Sequence, residues 1–252
     1  MKMRDAAPRA LAPIRTTLFG VTLLTSLVSA TAHAVVTFQD GEFNDPANQW
    51  FTVNTQNTGT NSSSVAQVGT GGSQGNVLQG TVNLIAPFPS SVNASAFNPQ
   101  FVFNPSVDGA ITDFDFSMDA TGHIGGFAFG IALRQNGNIF QRRLNNILQP
   151  DPFITQTQLG LMAADFAAID NAGSLDFSAA GSAIDFGFFF STSRPNGTGR
   201  SQFAARFDDF QVTINNETAA VPAPEPGSMA LMAGGFALFA SAARRRRHSI
   251  AK

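Results

Sequence analysis

The sequence predicts an all-β protein: an antiparallel β-sandwich of the jelly-roll type, flanked by an N-terminal signal peptide and a C-terminal transmembrane helix. Short alternating segments of apolar and polar residues fill the middle of the chain, turn-forming residues separate them, and an apolar stretch with basic neighbours lies at each end. A period of two is typical of half-buried strands. Repeated strands without helical spacers favour two packed sheets. We expect one such domain at residues 35–217.

Residues 1–34 have the features of a secretory signal peptide. Basic residues precede a thirteen-residue apolar stretch at 18–30, and Ala32 and Ala34 then place small side chains where a signal peptidase cuts. A retained membrane anchor is the alternative, but this stretch is shorter than the ~20 residues that a spanning helix needs. We therefore expect cleavage after Ala34 and export of the remaining chain.

Four segments of the body show the strand alternation most clearly: ITDFDFSM (111–118), GFAFGIALR (126–134), AIDFGFFFS (183–191) and DFQVTI (209–214). In the first, the pattern places Thr112, Phe114, Phe116 and Met118 on one face. In the second, it places small residues opposite the apolar ones. Twenty-two phenylalanines between residues 35 and 217 are expected to fill the space between the sheets. Residues 159–169 are the one segment that suggests a short helix.

The composition of the body excludes several classes of function. Residues 35–224 contain six arginines, no lysine and fifteen acidic residues, so their formal charge is −9. Such a body does not attract nucleic-acid phosphates, although it would tolerate divalent cations such as calcium. The chain has no cysteine, which excludes cysteine nucleophiles, zinc–thiolate sites and covalently attached haem.

The end of the chain combines three elements. Residues 218–226 form a linker that contains Pro224-Glu225-Pro226, which is expected to be extended because proline cannot continue a regular ladder. Residues 227–243 carry no charge and have the minimum length of a spanning helix. The basic tail 244–252 follows, and basic residues prefer the cytoplasmic side. The predicted orientation is therefore body outside and tail inside.

This order closely resembles the PEP-CTERM sorting signal of Gram-negative bacteria. The residues that carry the resemblance are Pro224, Glu225, Pro226, Gly227, Arg244, Arg245, Arg246 and Arg247. The resemblance implies recognition by an exosortase, a membrane-embedded cysteine transpeptidase, after export through the inner membrane. It further implies removal of the tail and a place at the cell surface or outside the cell, in bacteria that make exopolysaccharide and biofilm. Signal peptidase and exosortase are thus the expected partners.

The ends of the body resemble those of laminin-G-like domains and carbohydrate-binding-module jelly rolls. VTFQDGEFNDPANQW opens the body and ARFDDFQVTI closes it, as first and last strands that pair in such modules. The resemblance implies a structural calcium ion near these termini, and the candidate ligands are Asp40, Glu42 and Asp208. Calcium takes six or more oxygen ligands, and solvated turn residues are the alternative interpretation. No other cofactor is expected.

Residues suited to catalysis are few. His123 is the single histidine of the body and lies in no recognisable nucleophile motif. Asp113 and Asp115 could form a glycosidase pair, but their alternation with phenylalanine favours a solvated outer face. Trp50 is the one tryptophan and could stack on a sugar ring, with a buried anchor as the alternative.

The sequence therefore favours a non-catalytic, exported surface or matrix protein associated with exopolysaccharide or biofilm. The second hypothesis is a carbohydrate-binding module for the producer's own polysaccharide. A glycan-active hydrolase is the third.

Overall fold

The protein is described by a computed structural model that covers residues 33–41, 43, 50–57, 61–69, 75–85, 87–124, 126–147, 152–169 and 173–217. Within these residues the strands are β1 (His33–Asp40), β2 (Phe51–Asn57), β3 (Ser62–Val68), β4 (Val77–Ile85), β5 (Ser90–Phe103), β6 (Ile111–Ile124), β7 (Phe127–Gln135), β8 (Asn138–Ile147), β9 (Ile154–Leu161), β10 (Ala167–Ala168), β11 (Ile184–Arg194) and β12 (Arg200–Glu217). A one-turn helix α1 (Pro105–Asp108) and a 3-10 turn (Ala163–Asp165) complete them.

The strands form two antiparallel sheets. The first sheet has the order β3-β4-β12-β6-β9, and β1 also pairs with β12. The second sheet has the order β10-β8-β7-β11-β5-β2. The long strand β12 has two partner strands along one edge: its first half pairs with β4 and its second half pairs with β1. The predicted all-β sandwich is thus confirmed.

Phenylalanine fills the space between the sheets, as the alternation predicts. Phe186, Phe188 and Phe190 on β11 are fully buried, and the ring centroid of Phe188 lies 4.5 Å from that of Phe207 on β12. Ring pairs at such distances add to the free energy gained by burying apolar surface. The core side chains of β7 and β12 are likewise those that the period of two selects.

Two local predictions are wrong. Thr112 is exposed, because the β6–β12 register shifts between Asn215 and Asn216 and moves the core position to Ile111. The segment 159–169 is not one short helix: it holds the end of β9, which pairs with β6, then the 3-10 turn at Ala163–Asp165, and then β10. Gly160 has a φ of 64°, a left-handed conformation that interrupts a right-handed helix.

The sorting and targeting predictions fall mostly outside the described residues. This applies to the signal peptide up to residue 32, and to the linker, the apolar stretch and the basic tail at 218–252. Ala34 lies in β1 opposite Asn216, so cleavage after it would remove the first two residues of that strand. Among the described residues, no helix has the length and apolar character required to cross a membrane.

Candidate functional site: the outer face of the second sheet

The outer face of the second sheet carries its own layer of packed side chains. Residues that alternate with the core residues of β5, β7, β8 and β11 point away from the first sheet. Phe97, Ala132, Ile139 and Phe189 form a small apolar cluster there, separate from the main core. Phe51, Val53 and Ile169 pack against this cluster. The sheet is therefore covered on both faces over part of its area.

Two glycines let phenylalanine rings lie flat on this face. Gly130 is the cross-strand partner of Phe189, and Gly187 is the partner of Phe97. A β-carbon added at Gly130 would lie 2.7 Å from Cε1 of Phe189, and one at Gly187 would lie 2.8 Å from Cδ1 of Phe97. Each ring thus covers the glycine beside it. Both rings are themselves buried, so neither presents a face on which a ligand could stack.

Arg134 covers one end of the apolar cluster. Its guanidinium carbon lies 5.2 Å from the ring centroids of both Phe51 and Phe97, which is the range of cation–π contact. Its Nε also forms an ion pair with Oδ2 of Asp185 at 2.5 Å. The charge of this arginine is therefore neutralised within the protein, and its guanidinium group covers the rings of Phe51 and Phe97.

A row of amide and hydroxyl groups crosses the same face. Asn93 donates from Nδ2 to Oε1 of Gln141 at 2.9 Å, and Gln141 donates in return from Nε2 to Oδ1 of Asn93 at 3.0 Å. Gln141 Nε2 also donates to the hydroxyl of Ser95 at 2.9 Å. The reciprocal pair fixes the orientation of both amides, so the row is a rigid polar bar.

The polar bar shows that this face is concave. It joins β5 to β8, although β11 and β7 lie between them in the sheet. Neighbouring strands are spaced by about 4.8 Å, so three spacings amount to roughly 14 Å along a flat sheet. Two side chains and one hydrogen bond cannot bridge that span unless the sheet curves toward them. On β7, between the two amides, the side chains on this face are small: Ala128 and Ala132 flank Gly130.

A cleft of about 430 Å³ opens beside the polar bar. Its described polar lining comprises one asparagine, three serines, one threonine and one arginine: Asn93, Ser91, Ser191, Ser193, Thr192 and Arg143. A neighbouring recess of about 290 Å³ shares Ser91 and Ser193 with it and adds Arg194. The two volumes are adjacent parts of one groove along the ends of β5 and β11. Its larger part alone has the size of a small-molecule site.

Trp50 lies in the core and not on this groove. Its side chain has 9% exposure and contacts the rings of Phe43, Phe101, Phe188 and Phe210. Its indole N–H donates to Oδ2 of Asp40 at 2.8 Å. Stacking on a sugar requires an accessible ring face, so this geometry agrees with the alternative interpretation of Trp50 as a buried anchor.

Two of the three predicted calcium ligands, Asp40 and Asp208, lie among the described residues. Asp40 accepts hydrogen bonds on both carboxylate oxygens, from Trp50 and from the backbone N–H of Phe43. Asp208 is fully buried two positions from Phe210, the partner of Asp40 in the β1–β12 register. Among the described residues no group of three metal-ligating side chains is present. Glu42 lies outside them, so the three-residue site stays a prediction.

The aspartates of β6 lie on the outer face of the first sheet. Asp113 accepts a hydrogen bond from Nδ2 of Asn215 at 2.6 Å, and Asp115 accepts one from the backbone N–H of Gly160 at 2.8 Å. Both carboxylates thus have partners that hold neighbouring strands. His123 belongs to β6, with its side chain outside the described part.

The sequence alone does not identify the groove. Asn93 and Gln141 are 48 positions apart and become neighbours through strand order alone. The one signal was the run of small residues on β7, which the alternation places opposite the core. Such a run indicates a surface that other groups approach closely.

Comparison with known proteins gives two kinds of result. No curated protein matches this chain. Among solved structures, the body resembles the family 11 carbohydrate-binding module of the cellulosomal cellulase Lic26A-Cel5E of Clostridium thermocellum. The two share 16% sequence identity, the match covers 71% of this chain and 95% of that chain, and the TM-score is 0.42. It also resembles the CBM22-1 xylan-binding domain of Paenibacillus barcinonensis Xyn10C, with 15% identity, 76% and 99% coverage, and a TM-score of 0.36. Neither likeness assigns a ligand to this chain.

The C-terminal segment gives a specific match. It contains the Pro-Glu-Pro tripeptide, the uncharged stretch and the four arginines in the order described above. The model of the PEP-CTERM protein-sorting motif matches this segment from residue 222 to residue 247. This motif indicates a secreted protein that an exosortase processes and that is destined for the cell surface. Residues 222–247 of this chain are therefore a PEP-CTERM protein-sorting motif.

Proposed function

We propose that this protein is a non-catalytic surface or extracellular-matrix protein whose β-sandwich binds polysaccharide after the sorting tail has been removed. The observation that carries the proposal is the PEP-CTERM motif at 222–247. Signal peptidase would remove residues 1–34, and exosortase would cut near Pro224-Glu225-Pro226. The mature protein would then be associated with exopolysaccharide or biofilm outside the cell.

The concave face of the second sheet supports the polysaccharide-binding part of the proposal. Amide and hydroxyl groups are the partners that sugar hydroxyls require, and the reciprocal pair of Asn93 and Gln141 is already oriented. A preorganised site loses less conformational entropy when a ligand binds. The groove runs past Ser91 and Ser193, and an extended polymer could lie along it.

Mass spectrometry of the secreted protein tests the sorting part. The expected product begins at Val35 and ends near Glu225. In a strain that lacks its exosortase, the protein should keep the basic tail and stay with the membrane. A Glu225→Ala variant should be processed less, whereas Glu217→Ala, upstream of the motif, should be processed normally. Recovery of surface-exposed protein with an intact tail would contradict tail processing.

A glycan array with the processed protein tests the binding part. Binding to at least one polysaccharide is expected, and Gln141→Ala should weaken it because the polar bar is broken. Gln202→Ala is a suitable control, since Gln202 is an exposed amide on β12 of the first sheet. The intrinsic fluorescence of buried Trp50 should not respond to the bound sugar. If no glycan binds, the body has a structural role only, and the sorting part of the proposal is unaffected.

A further inference from the structure

We infer that the groove on the second sheet selects an anionic polysaccharide, one that carries carboxylate groups, over a neutral one. This inference rests on the proposed polysaccharide-binding function and names the class of sugar. It follows from the distribution of charge, from the way in which the arginines are held, and from the burial of the aromatic rings.

The groove differs in charge from the rest of the body. The body has nine more acidic than basic residues, and Asp113, Asp115 and Asp119 lie along β6 in the first sheet. The described lining of the groove instead includes Arg143 and Arg194 and no acidic side chain. Two of the six body arginines therefore face a volume with no described carboxylate in its walls. A cationic recess in an acidic protein attracts anions locally.

Each described arginine of the second sheet interacts with neighbouring groups of the protein. Arg134 pairs with Asp185 at 2.5 Å, and Arg142 pairs with Asp165 at 2.8 Å. Arg142 also donates to Oε1 of Gln158 at 3.2 Å. These two side chains stabilise the sheet edge and the apolar cluster. Arg143, the next residue to Arg142 on β8, also has a partner within the protein, but its side chain is exposed and lines the groove.

Arg194 is held in place before any ligand binds. Its Nε donates to the backbone carbonyl of Asn196 at 3.0 Å, and its guanidinium carbon lies 5.0 Å from the ring centroid of Phe88. The planar guanidinium group can bind a carboxylate through two parallel hydrogen bonds. Because the loop and the ring already orient it, less entropy is lost when such a carboxylate arrives.

The burial of the aromatic rings argues against a neutral polymer as the preferred ligand. Phe97 and Phe189 are covered by their neighbours, and Phe51 lies under the guanidinium of Arg134. Phe88 likewise lies under the guanidinium of Arg194. These rings are thus buried or covered by an arginine, so we expect affinity to come mainly from polar contacts. Hydrogen bonds to charged groups contribute about twice as much as neutral ones. A uronic-acid polymer uses both the serine-rich floor and the two arginines.

Binding assays with the processed protein test the inference. The probes are polygalacturonate, which carries a carboxylate on each sugar, and a neutral mixed-linked β-glucan. We expect tighter binding of polygalacturonate, with affinity that falls as salt is added. The double variant Arg143→Gln with Arg194→Gln should lose at least about tenfold in affinity for polygalacturonate. Arg200→Gln, an exposed arginine on the first sheet, is the matched control and should bind as the parent does.

The outcomes separate this inference from the proposed function. Tighter binding of the neutral glucan, or equal binding of both polymers, would overturn the anionic preference and leave polysaccharide binding in place. Unchanged affinity in the double variant, with its melting temperature also unchanged, would show that these arginines are not the ligand contacts. Binding of neither polymer to a correctly processed protein would overturn the inference and the binding function together, without affecting the sorting assignment.

Discussion

Replacement of Trp50 by phenylalanine should destabilise the fold because it removes one buried hydrogen bond. The change keeps an aromatic ring among Phe43, Phe101, Phe188 and Phe210, but it removes the indole N–H that Asp40 accepts at 2.8 Å. Asp40 has 6% exposure, so water does not readily replace the lost donor. A buried acceptor deprived of its partner costs about 1–3 kcal/mol.

The smaller ring adds a second cost to the same substitution. It leaves unfilled space in a close-packed core, which accounts for about 1 kcal/mol. The expected total is about 2–4 kcal/mol of unfolding free energy. For a domain of this size that corresponds to a decrease in melting temperature of roughly 5–15 °C.

Urea unfolding followed by circular dichroism measures this loss, because the variant has no tryptophan fluorescence. A double-mutant cycle isolates the hydrogen bond: in an Asp40→Ala background, Trp50→Phe should cost only the cavity contribution. The coupling energy between the two sites should then be about 1–3 kcal/mol. Additivity of the two substitutions within about 0.5 kcal/mol would refute the reasoning.

Three further predictions concern a buried glycine, an aspartate with a lowered pKa and the predicted calcium site. Gly130→Ala should lower the free energy of unfolding by at least about 1–3 kcal/mol, because the added β-carbon would lie 2.1 Å from the carbonyl oxygen of Arg142. Gly69→Ala is the control: its nearest atom is 3.7 Å away, so the same urea assay should show almost no change. The side-chain and backbone hydrogen bonds of Ser178 lower the pKa of Asp176. Ser178→Ala should therefore reduce the melting temperature slightly at neutral pH, and the difference from the parent should vanish as the pH falls below the lowered pKa. An equal difference at all pH values would contradict this linkage. If Asp40, Glu42 and Asp208 hold calcium, a chelator should lower the melting temperature and added calcium should restore it, whereas an unchanged value would remove the predicted metal site.

The strands were predictable because their signal is local. Each core strand shows a period of two within its own residues, as Phe186, Phe188 and Phe190 do on β11. The prediction failed at Thr112, where a register shift against β12 interrupts the alternation. Such a shift depends on the partner strand, which is about a hundred positions away in the chain.

The helix α1 was not predicted, although its sequence carries a signal. Asn104 caps it by accepting the backbone N–H of Ser106 at 3.2 Å, and Pro105 occupies its first turn. This order is typical of a helix start. A single turn has no apolar period, so a search based on alternation overlooks it.

The candidate groove could not be predicted, because it depends on which strands are neighbours. Its polar bar requires β5 and β8 to curve toward each other across two other strands. The sorting motif is the opposite case. Its elements are consecutive in the chain, and the sequence therefore identified it directly.

The position of β12 has a consequence for the order in which the fold can form. It is the last described strand, yet it pairs with β1, β4 and β6 in the first sheet. Among the described residues β1 has no other partner strand. The first sheet therefore cannot be completed until residues 200–217 are available, and these residues come just before the sorting motif at 222–247.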